Sequence, residues 1–139
     1  MSQDLQQQTL EFLGEKTEWF TVLAQQAATQ ATRTSELQRC TKADGVILEV
    51  VTANEAGTVT LTPKILVPNA VVGGADLVLV TFTAISANGT NLLVLHPTGA
   101  DMGAEDKVGT LPREWKLELT YSGADTGHNM DSAVYARYI

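Results

Sequence analysis

The 139-residue sequence has few cysteine, histidine and basic residues. Cys40 stands alone, which excludes an intrachain disulfide and a zinc site built from several cysteines. Nine Lys and Arg against sixteen Asp and Glu give a formal net charge of −7, which opposes binding to nucleic-acid phosphates and anionic membranes. The chain has no apolar run of the roughly 18 residues that a membrane helix needs and no recognisable signal segment. We therefore expect a soluble protein, made in a reducing cytoplasm, that binds neither nucleic acid nor membrane.

Two histidines, His96 and His128, limit the acid-base chemistry that is open to this chain at neutral pH. Neither lies beside a nucleophile motif, so the sequence predicts a non-enzymatic protein without catalytic residues or cofactors. Asp125, His128 and Asp131 are spaced three apart and could converge on a divalent cation. Because the same residue types are typical of a solvated turn, no metal site is predicted, and this loop stays an open alternative.

The opening segment, residues 1–26, differs in composition from the rest and is predicted to be an N-terminal arm or short helix. Four large apolar residues recur at steps of three, seven and three: Leu10, Leu13, Phe20 and Leu23. This spacing suits one face of a helix, although Gly14 should cap or break a helix there. Trp19 and Phe20 need cover, either from the same domain or from another subunit, and both alternatives stay open. The predicted partner-binding residues are Leu10, Leu13, Trp19, Phe20 and Leu23.

Residues 27–139 alternate between apolar and polar side chains and are predicted to form one β-domain. Three hairpins are expected: 46–51 with 58–62, 77–83 with 92–95 across Asn88-Gly89, and 114–121 with 130–139. A leading strand near 27–33 brings the total to about seven, which favours an antiparallel Greek-key, immunoglobulin-like β-sandwich. Residues 97–110 would cross between the sheets, and Trp115 would fill the core. A small barrel remains the alternative.

One C-terminal pattern resembles a known group of proteins. The run Leu111-Pro112-Arg113-Glu114-Trp115, continuing to residue 120 and followed by the strand 132–136, is similar to a motif in small virion proteins of tailed bacteriophages. Residues 44–53 are similar to the first core strand of those proteins. The resemblance covers residues 27–139 and implies a capsid decoration, or cement, protein, a class that is often trimeric on the shell. The longer acidic loop and the ending 135–139 depart from the pattern and leave the role within the particle open.

The resemblance implies a homo-oligomer, with a trimer favoured, that binds the major capsid protein on the capsid surface of the virion and stabilises the shell. Another virion part, such as a tail, neck or baseplate protein, is the first alternative. A carbohydrate-binding sandwich that stacks sugars on Trp19, Tyr135 or Tyr138 is the second. The resemblance carries over no catalytic residues.

Overall fold

Ten strands and no helix make up the part of the chain that the computed structural model describes, residues 18–27, 32–53, 59–71, 73–99, 105–123 and 130–139. Most strands alternate buried and exposed positions, as expected where one face of a sheet covers a core. The strands are β1 (Phe20–Ala27), β2 (Thr32–Thr34), β3 (Gln38–Arg39), β4 (Val46–Ala53), β5 (Thr60–Val67), β6 (Leu77–Thr81), β7 (Gly89–His96), β8 (Glu105–Val108), β9 (Glu114–Ser122) and β10 (Asp131–Tyr138).

The strands form two sheets that pack as a sandwich. Sheet A has the order β1-β10-β4-β7-β8, and sheet B has the order β2-β9-β5-β6, with β3 also paired to β9. Pairing is antiparallel except between β7 and β8, which run parallel. The predicted all-β fold is confirmed. The expectations of about seven strands and of purely antiparallel pairing are wrong, because β8 lies in the stretch that was expected to be a plain connection between the sheets.

The core lies between the two sheets and follows the alternation of the sequence. Sheet A contributes the fully buried side chains of Val46, Leu48 and Val50 on β4. Sheet B contributes the fully buried side chains of Trp115 and Leu117 on β9. Burying a large apolar side chain contributes roughly 1.5–3 kcal/mol, so these facing rows supply much of the stability. The predicted place of Trp115 in the core is confirmed.

All three predicted hairpins are wrong, since each joins strands of different sheets. Strand β4 lies in sheet A and β5 in sheet B, β6 lies in sheet B and β7 in sheet A, and β9 and β10 are likewise separated. Asn88 therefore ends a connection that crosses the sandwich, and Gly89 begins β7. The hairpin between consecutive strands is β5 with β6, in which Ile65 pairs with Val80. Alternation specifies which side chains face inward, but an inward-facing strand fits equally well into either sheet.

The described part of the segment predicted to be an arm or short helix contains a strand and no helix. Strand β1 pairs with β10, placing Phe20 beside Ala136, and it buries Val22 and Leu23 to 8% exposure each. The expected boundary between residues 26 and 27 falls within this strand. Hydrogen bonding to β10 satisfies the backbone groups that a helix would have satisfied internally.

A polar contact ties the two sheets together at the edge formed by β1 and β2. Arg33 of sheet B donates from Nη1 to the carbonyl oxygen of Ser132 at 3.0 Å and from Nη2 to the carbonyl oxygen of Ala24, both in sheet A. The hydroxyl groups of Ser132 and Tyr121 are hydrogen-bonded at 2.5 Å within the core. The charge-assisted bonds of Arg33 and the bond between the two hydroxyl groups each join sheet A to sheet B.

Gly45 occupies a narrow position just before β4. It donates to the carbonyl oxygen of Ile139 and accepts from the backbone N–H of the same residue, both at 3.0 Å. A side chain at this position would meet the backbone oxygen of Leu95 and the Cα of His96. Glycine is therefore required here by the close approach of three backbone segments.

Candidate interaction surface

Strand β6 presents an apolar edge to solvent. It ends sheet B and pairs with β5 on one side, while no other described strand lies along its opposite side. Leu77, Val78 and Leu79 are 58%, 55% and 43% exposed, and Val71 in the preceding loop is 68% exposed. We call Leu77, Val78 and Leu79 the β6 edge. Proteins usually protect such edges with charges or cover them, because unpaired strands associate readily.

The charged groups next to the β6 edge are held by neighbours within the same chain. Asp76, which precedes the strand, accepts a 2.9 Å salt bridge from Nζ of Lys116 on β9. Glu105 on β8 accepts hydrogen bonds from the backbone N–H of Thr83 at 2.9 Å and from its hydroxyl at 3.0 Å. Because these carboxylates have local partners, the strand itself presents an uncharged apolar surface.

A cleft of about 600 Å³ begins just beyond the C-terminal end of β6. It is lined by residues 83–93 and by Glu105, so its walls are mainly loop backbone with small polar and apolar side chains. Glu105 is the one ionisable group in this lining, and Thr83 occupies both of its oxygens. The cleft is large enough to hold a small molecule, but its described walls contain no pair of acid and base side chains.

The predicted partner-binding residues divide into buried and exposed positions. Leu23 lies in the core, while Phe20 is half-buried and its ring centroid lies 5.0 Å from that of Tyr138. Tyr138 in turn meets Trp115 edge-on, with the ring centroids 6.4 Å apart. Trp19 is 43% exposed. Of the predicted residues that the structure describes, Trp19 therefore offers the most accessible surface. Leu10 and Leu13 lie outside the described residues.

The alkaline stability of the domain is expected to depend on Tyr138. Burial raises the pKa of its hydroxyl to about 12, above the usual 10, because the ionised form is poorly solvated in the folded state. This contribution to the free energy of unfolding is fully present below pH 10 and is lost as the pH rises through 12. Urea midpoints measured from pH 8 to 12 should therefore fall more steeply for the wild type than for Tyr138→Phe. Tyr135→Phe is the control, and equal slopes for Tyr138→Phe and the wild type would contradict the expectation.

The other candidate chemical groups are placed as follows. His96 ends β7, where its Nδ1 lies 3.0 Å from the hydroxyl of Thr98 and accepts from the Thr98 N–H at 3.2 Å. Cys40 is buried, which raises the pKa of its thiol, and its Sγ donates to a backbone carbonyl oxygen. Asp131 begins β10, whereas the rest of the proposed cation loop lies outside the described residues. Where the structure describes the chain, no group of three metal-ligating side chains comes together. No helix in that part is long and apolar enough to cross a membrane.

The β6 edge escaped the sequence prediction, which assigned these residues to a paired hairpin. The available signal was the continuous run Leu77-Val78-Leu79-Val80, which does not alternate. Such a run is typical of a strand covered on both faces. Here the chain itself leaves three of these four side chains largely uncovered.

The fold and this surface define an all-β, two-sheet sandwich with an exposed apolar edge. Comparison with models of protein families, with curated proteins and with solved structures finds no match for this chain.

Proposed function

We propose that this chain is a structural protein of a tailed-bacteriophage particle, most specifically a capsid decoration protein that binds the major capsid protein and stabilises the shell. It acts without catalysis or cofactor, as a homo-oligomer on the capsid surface, after synthesis in the host cytoplasm. The observation that carries this proposal is the apolar β6 edge of a chain whose formal net charge is −7. A surface of this kind suits assembly, since unpaired apolar strands are usually covered by a partner.

Two further features support the proposal. The resembling motif at residues 111–115 leads into β9, and its Trp115 anchors the core, so the motif residues have a structural role in this fold. A net charge of −7 keeps unassembled copies apart in solution, which a protein made in many copies before assembly requires. Contacts repeated over a shell then give tight binding by avidity.

The immunoglobulin-like Greek-key arrangement is part of the same proposal. It is supported by the path of the chain from β4 across to the β5–β6 pair and back to β7, which lies beside β4. The last strand departs from the immunoglobulin pattern, because β10 pairs with β4 in sheet A and not with β9.

The proposal is tested on the phage that carries the gene. Particles from a deletion strain are compared with wild-type particles by cryo-electron microscopy and by resistance to heat, and purified protein is then added back. We expect density at symmetry-related positions over the whole shell that disappears on deletion and returns on addition, together with lower heat resistance of the bare shells. Absence of the protein from purified virions would contradict any virion role. Density confined to the tail, neck or baseplate would favour the alternative structural role.

A carbohydrate-binding role is kept as a second candidate because Trp19 is exposed enough to stack on a sugar. It predicts specific binding on a glycan array that is lost in Trp19→Ala. Tyr138 is the weaker stacking candidate, since its ring lies between Phe20 and Trp115. Binding by the wild type and its loss in Trp19→Ala would overturn the purely structural proposal.

A further inference from the structure

The Asn88-Gly89 pair lies on an exposed stretch of the chain. Residues 86–90 are all exposed, and Gly89 begins β7 with a φ of 142°. Apart from the chain neighbours of Gly89, no heavy atom lies within 4 Å of the position that a Cβ would take there. Glycine adopts this backbone conformation without strain, and it has no side chain to shield its own amide nitrogen. The backbone nitrogen of Gly89 is therefore open to attack by, or on, the neighbouring side chain.

We propose that Asn88 is a site of spontaneous deamidation in the folded protein. Asparagine is among the labile residues of proteins, and here the backbone nitrogen of Gly89 attacks Cγ of Asn88 to form a five-membered succinimide ring. The Cγ–Nδ2 bond breaks, and the side-chain nitrogen leaves as ammonia together with the proton from the Gly89 nitrogen. Water then opens the ring at either carbonyl carbon, which gives aspartate or isoaspartate. The reaction consumes only water, so it needs no enzyme, metal or redox partner.

The other asparagines that the structure describes are placed less favourably for this reaction. The amide of Asn69 is held at both ends, because its Nδ2 donates to the carbonyl oxygen of Ala75 and its Oδ1 accepts from the N–H of Val71, both at 2.9 Å. Asn91 lies inside β7, within the ladder that this strand forms with β4, and Leu92 follows it. Neither position therefore offers the exposed glycine that the reaction favours.

Deamidation changes the charge of the chain and of the cleft. Each event replaces a neutral amide by a carboxylate, which adds one negative charge to the formal −7 of the chain. Asn88 lines the cleft in which Glu105 is otherwise the one ionisable group of the described walls. The modified protein therefore has a second carboxylate in this lining. This inference rests on the chemistry of residues 88 and 89 alone and is independent of the proposed virion role.

Isoaspartate also changes the backbone where β7 begins. The hydroxyl of Thr52 on β4 donates to the carbonyl oxygen of Ala87 at 2.8 Å and to that of Gly89 at 3.3 Å, so its two acceptors lie on either side of Asn88. An isoaspartyl link adds one atom to the main chain between these two carbonyl groups. We expect the isoaspartyl form to lose these bonds and to unfold at a lower urea concentration than the unmodified protein.

The test holds the full-length protein at mildly alkaline pH in water labelled with heavy oxygen and locates the label by mass spectrometry. Asn69, Asn88 and Asn91 fall in one tryptic peptide, residues 65–107, so fragmentation of that peptide compares the three sites in the same sample. We expect Asn88 to take up the label at least about tenfold faster than either other site. The rate should rise with pH, because the attacking nitrogen reacts after losing its proton. A methyltransferase specific for isoaspartate then detects that product.

Two variants serve as controls. Asn88→Gln should abolish the labelling at this position, since the longer side chain closes a six-membered ring far more slowly, whereas Asn91→Gln should leave the rate at Asn88 unchanged. Circular dichroism establishes that both variants fold, and the comparison of the three sites in the wild type needs neither of them. The proposal is overturned if Asn88 reacts no faster than Asn69 and Asn91. It is also overturned if Asn88 reacts only in protein unfolded by urea, because the fold would then protect the site.

Discussion

Replacing Trp115 with alanine is expected to remove a large share of the free energy that stabilises the fold. The indole is fully buried between the sheets, and removing a buried Trp side chain costs about 3–5 kcal/mol. Domains of this size have only about 5–15 kcal/mol of stability in total, so the loss takes a large share of it. Urea unfolding followed by circular dichroism should show a much lower midpoint for Trp115→Ala and an intermediate one for Trp115→Phe.

The chain supplies a matched control in its other tryptophan. Trp19 is 43% exposed, so Trp19→Ala should lower the free energy of unfolding by much less than Trp115→Ala does. The two variants remove the same side chain and differ in its burial. Equal midpoints for Trp115→Ala and Trp19→Ala would show that Trp115 does not anchor the core.

A single added methyl group at Gly45 is expected to have the second-largest effect. Its Cβ would collide with the carbonyl oxygen of Leu95, and backbone cannot move aside as a side-chain end can. The cost extends to the paired hydrogen bonds between Gly45 and Ile139, which hold the end of β10 beside the start of β4. Overpacking of this kind costs typically 1–3 kcal/mol, and we expect about 3 kcal/mol for Gly45→Ala because the clash is with backbone.

Gly109→Ala is the control for this second prediction. An added Cβ at Gly109 would meet Leu95 as well, but at the end of its side chain, 3.1 Å away at Cδ1. A shift of a few tenths of an ångström in that methyl group relieves the contact, so the expected change in the free energy of unfolding is below about 1 kcal/mol. Thermal unfolding of both variants measures the difference. If Gly45→Ala is as stable as Gly109→Ala, the backbone at Leu95 can move to accommodate the added methyl group, and the prediction is wrong.

The sequence predicted the inward-facing residues better than it predicted their neighbours. Alternation correctly predicted the strands β4 and β9 and placed Trp115 in the core. The partners of those strands were wrong, because β4 pairs with β7 and β10, which are distant in sequence. The alternation of side chains between the two faces of a strand is set by the backbone of that strand alone. The choice of neighbouring strands depends on how the connections cross the sandwich.

The candidate surface was harder to predict for the same reason. Trp19 was singled out because it preceded the alternating region, and it is exposed. Leu77 and Leu79 were predicted to lie in a paired hairpin, and a continuous apolar run of this kind is typical of a covered strand. Their exposure follows from the position of β6 at the end of sheet B, which no local pattern encodes.

The central position of β10 in sheet A has a consequence for how the protein forms during translation. This strand lies between β1 and β4 and follows every other described strand in the sequence, so the sheet lacks its middle until residues 131–138 leave the ribosome. Pairing Phe20 with Ala136 also closes a very long loop, which slows folding. Nascent chains should therefore stay open, with their apolar strands accessible to chaperones, until synthesis has passed Tyr138.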